Sequence, residues 1–124
     1  MPETTHTPAG EYPRPGPTHH LDLRAMADEL IDQLPGKGRQ TRSLARESGV
    51  SVLLMAMEAG NVLREHSADG VVTVQPLRGY AVLEAGGESF ELRPGQLLML
   101  QPGVRHDLRA GEQCVVLLTI TGGD

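Results

Sequence analysis

Few side chains in this sequence have types and spacings suited to chemistry. Arg64 stands two residues before His66, a further imidazole follows at His106, and Cys114 is the single thiol. Residues two apart on a strand share a face. A guanidinium at 64 beside the imidazole at 66 would therefore suit a carboxylate or other planar anion, through paired hydrogen bonds. The plainer reading is a rim arginine paired with Glu65 or Glu112. Cys114 lies in the apolar run Cys114-Val115-Val116-Leu117-Leu118, which reads as core filling rather than as a nucleophile. A lone cysteine also excludes an intrachain disulfide and a multi-thiolate zinc site, and agrees with a reducing compartment. No Gly-rich phosphate loop is followed by a lysine, and no serine occupies a nucleophile elbow. Enzyme classes built on those devices are excluded.

The elements that must position these groups are legible in the apolar spacing. Leu23, Met26, Ala27, Leu30, Ile31 and Leu34 form one stripe at helical period, with Asp28, Glu29 and Asp32 opposite. Asp22 is the expected N-cap, and Pro35-Gly36 the stop. From Arg39 onward the pattern changes to short apolar runs broken by Gly, Pro, Asn and Asp about every ten residues, which predicts eight or nine antiparallel strands in a sandwich or barrel. Gly86-Gly87 between two such runs is a two-residue hairpin signal. Pro76 lies inside another run, where an edge or a bulge is expected because proline donates no ladder hydrogen bond. Leu44 to Ser51 has the look of a helix-turn-helix turn. The six residues after it, Val52 to Met57, carry no polar side chain for a DNA groove, so this segment reads as strand.

The runs Val52 to Met57 and Val115 to Ile120 are apolar at both parities, so both of their faces must be covered. The helix or a second subunit could supply the outer cover, and a homodimer is expected. Met1 to Thr18 holds five of the nine prolines and almost no large apolar side chain, which predicts a disordered tail. The chain thus divides into a tail at 1–18, a helix and linker at 19–38, and a β domain at 39–124.

The glycines and histidines of that β domain resemble the motifs of the cupins. Gly60, His66 and Gly79 keep the spacing of the family's first motif; Gly95, Gly103 and His106 keep that of the second, with Pro102 displaced by one. The resemblance covers the C-terminal two-thirds of the chain. It implies an all-β fold, a cupin-type antiparallel β-barrel (jelly roll) preceded by one short amphipathic α-helix, with His66 and His106 inside its cavity. It also implies a metal site built by three histidines and a glutamate, of which His66 and His106 are present here. Ala68 and Val72 occupy the positions of the second histidine and the glutamate, and Ala110 that of an asparagine sometimes found. A divalent cation takes four to six donors, so Fe, Mn, Zn or Ni is offered as a cofactor on an incomplete ligand set. Val62, Val72 and Val74, with Met55, Met57, Leu98 and Leu100, are expected to line a mostly apolar cavity.

Composition sets the partner classes. A net charge of −5 repels phosphate backbones and anionic membranes, and Tyr12, Tyr80 and Phe90 are too few for stacking on bases. No segment reads as a signal peptide or membrane span, so a cytoplasmic protein is expected, with neither nucleic acid nor membrane as partner. Three readings remain. One is binding or sensing of a small molecule by Arg64, His66 and His106. The second is a metal-dependent enzyme of oxygenase or isomerase type acting on a small organic substrate. The third is an assembly module whose cavity is vestigial.

Overall fold

The computed structural model describes residues 17–122, with the backbone alone at Glu65 and His66. Sixteen of the eighteen positions of the expected tail therefore lie outside the described residues. Helix α1 (Leu23–Gln33) is followed by nine strands: β1 (Arg39–Glu47), β2 (Val50–Met57), β3 (Val62–His66), β4 (Val72–Arg78), β5 (Ala81–Ala85), β6 (Glu88–Leu92), β7 (Leu98–Leu100), β8 (His106–Ala110) and β9 (Cys114–Thr121). They form a five-stranded sheet, β1-β2-β9-β4-β7, facing a four-stranded sheet, β3-β8-β5-β6. Every strand pair is antiparallel. This is the expected jelly roll with one preceding helix. Among the described residues no helix is long and apolar enough to cross a membrane.

The both-parity runs are explained by two cores on either side of one sheet. Met55 and Met57 of β2, with Cys114 and Val116 of β9, point into the barrel and pack with Val74, Leu83 and Leu108. Leu54, Ala56 and Val115 point outward and pack under Met26, Ala27, Leu30 and Leu34 of α1. The helix supplies the cover. This face therefore no longer calls for a second subunit, which was the argument for a homodimer. Asp22 caps α1 by accepting from the Ala25 amide at 3.1 Å, as its residue type demands at that position. Past the helix, the amides of Gly36 and Gly38 donate to the two carboxylate oxygens of Glu58, each at 2.9 Å, which fixes the crossing from helix to sheet.

Both two-residue hairpins have the left-handed turn conformations that match strand twist. Ser48 and Gly49 (φ 53 and 77) join β1 to β2, so the segment resembling a DNA-reader turn is a hairpin; Gly86 and Gly87 (φ 58 and 81) join β5 to β6. Pro76 is accommodated as expected. The β4–β9 register shifts between Pro76 and Arg78, while β7 pairs with β4 only at Val72, Thr73 and Val74.

Cys114 is a buried free thiol. Burial, with a smaller contribution from the nearby Glu112 carboxylate, pushes it up from 9.0 to about 11. The unfolded chain therefore loses this proton first, and unfolding becomes easier as pH rises from 9.0 to about 11. The loss is about 2 to 3 kcal/mol. Urea unfolding below and above that window should show this extra loss in the wild type relative to Cys114→Ala; equal pH dependence would contradict it.

Candidate functional site

The inner face of the four-stranded sheet can be read in rows across the ladder. The first row holds position 66, His106, Ala85 and Glu88; the second holds Leu63, Leu108, Leu83 and Phe90; the third holds Ala110, Ala81 and Leu92. Leu83, Leu108, Ala81 and Ala110 are fully buried, whereas Ala85 is half-buried. On the opposite sheet Cys114 and Val116 are sealed, while Leu118 and Ile120 further along the same strand are half-buried. One end of the barrel is thus closed by packed side chains, and the other opens around the first row.

His106 stands at that open end and is 7 % exposed. No other polar or charged side chain is buried among the described residues. Its Nδ1 lies 3.1 Å from the Val104 carbonyl oxygen. A carbonyl can only accept, so the proton is on Nδ1 and the ring is oriented with Nε2 as its second hydrogen-bonding atom. The loop that carries Val104 is tied to the same end, since the Gly103 amide donates to the Ala68 carbonyl at 2.8 Å. His106 forms part of the wall of an open cleft of about 440 Å³ beside the β5–β6 hairpin, with Glu84, Glu88, Ser89, Arg105 and Asp107 around it. That volume is in the range of small-molecule sites.

The β3–β8 register brings position 66 directly opposite His106, and directly opposed residues of an antiparallel pair belong to one face. The side chain of His66 lies outside what is described. The face of Arg64 does not follow from its spacing to His66. The register shifts by one residue between Leu63 and His66, so strict alternation fails across this bulge, and Arg64 is exposed. The expected lining needs correction as well. Val62 pairs with the exposed Arg109 and belongs to the outer face, while Met55, Met57, Val72, Val74 and Leu100 are buried core filling. Leu98 remains half-buried against the core. Glu84, Glu88, Ser89 and Asp107 were not singled out by sequence, because no motif marks them and only the pairing of β5 with β8 brings them to His106.

The positions that the family resemblance assigns to further metal donors are apolar. Val72 and Ala110 are buried, and Ala68 packs against the core. Among the described residues no three His, Cys, Asp or Glu side chains are grouped to share an ion. Four to six donors are needed, and positions 68, 72 and 110 supply none.

A family model described as the AraC-like ligand binding domain matches residues 48–121. No curated protein matches the chain at a significant level. Among solved structures, a cupin superfamily protein from Desulfitobacterium hafniense is similar with 20 % identity over 70 % of this chain and 80 % of that one, at a TM-score of 0.67. KdgF from Halomonas sp. is similar with 20 % identity, 73 % and 84 % coverage, and a TM-score of 0.62. The salicylate 1,2-dioxygenase of Pseudoaminobacter salicylatoxidans, solved as adducts with gentisate, is similar at 14 % identity and a TM-score of 0.71; the match covers 81 % of this chain and 32 % of the dioxygenase. At these identities the likeness establishes the cupin fold.

Proposed function

The chain belongs to the AraC-like ligand-binding domain family, and from that premise we propose that it binds a small, partly apolar organic molecule in the cleft at the open end of the barrel. The observation that carries this reading is His106. An imidazole is buried at a barrel mouth and held in one orientation by a backbone carbonyl, in a wall whose other members are mostly charged or polar, with Ala85 and the Gly86-Gly87 turn. An imidazole fixed in this way can orient a hydroxyl or similar polar group of a ligand. We assign His66 to the same polar row, since its backbone position is opposite His106. Arg64, being exposed, is placed at the rim rather than in the grip. Three carboxylates, Glu84, Glu88 and Asp107, line the cleft with one guanidinium, Arg105. That balance favours a neutral or singly charged ligand over a multiply anionic one.

A metal-dependent oxygenase or isomerase is the second reading, raised by the dioxygenase among the structural neighbours. The apolar side chains at positions 68, 72 and 110 weigh against it, because a metal held through turnover needs about three protein ligands.

A thermal-shift screen of small hydroxylated and carboxylic compounds, with gentisate as the first probe, tests the binding reading. A compound held at a hundred times its dissociation constant should add about 2.7 kcal/mol to stability. His106→Ala should remove that gain. A gain that survives both His106→Ala and His66→Ala would place the ligand elsewhere and reject the site.

A further inference from the structure

Across the small sheet, Ala85 of β5 pairs with His106 of β8 on one side and with Glu88 of β6 on the other. Directly opposed residues of antiparallel pairs belong to one face, so an imidazole, a methyl group and a carboxylate stand in line at the open end of the barrel. The two polar residues are two strand spacings apart, about 10 Å between Cα atoms. Alanine between them leaves the space above β5 unfilled, and all three residues line the cleft of about 440 Å³. A small molecule with a polar group at each end matches such a gap.

The two ends differ in what they can receive. The His106 ring is buried and oriented by the Val104 carbonyl, whereas Glu88 is exposed beside the Gly86-Gly87 turn, and an ionised carboxylate only accepts. The other charged groups of the cleft have contacts already. Glu84 accepts from the Ser89 hydroxyl at 3.2 Å, and Arg105 and Asp107 each have an interaction of their own. Glu88 makes none among the described residues. The field around it is largely of one sign. Glu84 and Asp107 are directly opposed on the other face of the same strand ends, an arrangement that is destabilising for like charges. With Glu88 they face a single guanidinium, Arg105. A cleft lined in this way concentrates cations and repels anions.

We propose that the ligand is a small hydroxylated amine, held across Ala85 with its protonated nitrogen on the Glu88 carboxylate and its hydroxyl at His106. This rests on the reading of the cleft as the ligand site and narrows it: Glu88 selects the charge of the ligand, and His106 orients its other end. An ammonium group donating to a carboxylate makes a charge-assisted hydrogen bond, about twice as strong as a neutral one. A carboxylate at the same end of the ligand would instead meet a like charge, with Glu84 and Asp107 adding to the repulsion.

Tyramine, N-acetyltyramine and 4-hydroxyphenylacetate share a phenol and differ in the charge at the other end, so calorimetric titration of the three separates the choice of ligand from the site. Tyramine should bind at least about tenfold more tightly than either of the others, the weight of one charge-assisted hydrogen bond. Glu88→Gln should cost tyramine about tenfold and leave N-acetyltyramine unchanged. Glu88→Arg should reverse the order of tyramine and 4-hydroxyphenylacetate. Position 88 is exposed, so neither substitution is made in the core. If N-acetyltyramine, 4-hydroxyphenylacetate or gentisate binds as tightly as tyramine and loses its binding in His106→Ala, the site stands and the amine is overturned. Tyramine binding that is unchanged in Glu88→Gln overturns it as well. If none of the four compounds binds, the amine and the site fall together.

Discussion

Gly79→Ala should destabilise the fold by about 3 kcal/mol or more, enough to consume a large part of the stability of a domain this size. Gly79 lies between β4 of one sheet and β5 of the other, at the corner where the chain crosses the sandwich. Two costs coincide there. Its φ of +66 is a left-handed conformation, in which a side chain costs about 1 to 2 kcal/mol. A Cβ would also overlap the Gln113 carbonyl oxygen at the start of β9, and neither backbone can yield without disturbing a ladder; forced overpacking adds about 1 to 3 kcal/mol. Gly86 is the control. It too has a positive φ, of +58, but its Cβ would meet open space, so Gly86→Ala should cost about 1 to 2 kcal/mol. Urea unfolding of the two variants separates conformational strain from close approach. Equal losses would show that the approach to Gln113 has no energetic weight. Because Ala85 of β5 pairs with His106 and with Glu88 of β6, a displaced corner should also weaken any ligand held in the cleft.

Leu30→Ala should cost about 3 kcal/mol, the usual loss for a leucine truncated to alanine where the surroundings cannot collapse. Leu30 is 1 % exposed and lies between the helix and the outward face of the large sheet, in the cluster with Leu44, Leu54 and Val115. The polar contacts of the same helix should matter much less. Glu29 with Arg42, and Asp28 with Arg78, tie α1 to the sheet, but both carboxylates are about half exposed or more, and pairs of this kind contribute roughly 0 to 1 kcal/mol. Denaturant midpoints for Leu30→Ala and Glu29→Ala should therefore differ severalfold in their displacement. Comparable displacements would mean that charge, not apolar burial, docks the helix. Detaching α1 uncovers Leu54, Ala56 and Val115, so aggregation should accompany the Leu30 variant on warming.

The division of labour between α1 and the barrel was partly open before the structure. A run apolar at both parities, such as Val52 to Met57, states that two faces are buried but not by what. The structure resolves it because Met55 and Met57 meet the opposite sheet while Leu54 and Ala56 meet the helix.

Local rules carried the sequence reading far. Helical period, the Asp22 cap, the Pro35-Gly36 stop and the Gly-Gly hairpin each depend on a few neighbouring residues, so the element order and the strand pattern were determined by the chain alone. The motif spacing around His66 and His106 likewise indicated that two strands remote in sequence would carry them to one sheet. Register was decided only by tertiary pairing. One extra residue between Leu63 and His66 left position 66 opposite His106, because a bulge breaks strict alternation without leaving a compositional mark. The cleft residues Glu84, Glu88 and Asp107 became a site for the same reason. Their places beside His106 follow from which strands meet and in what register, and that is set by the packing of the whole sandwich, not by any residue's neighbours in the chain.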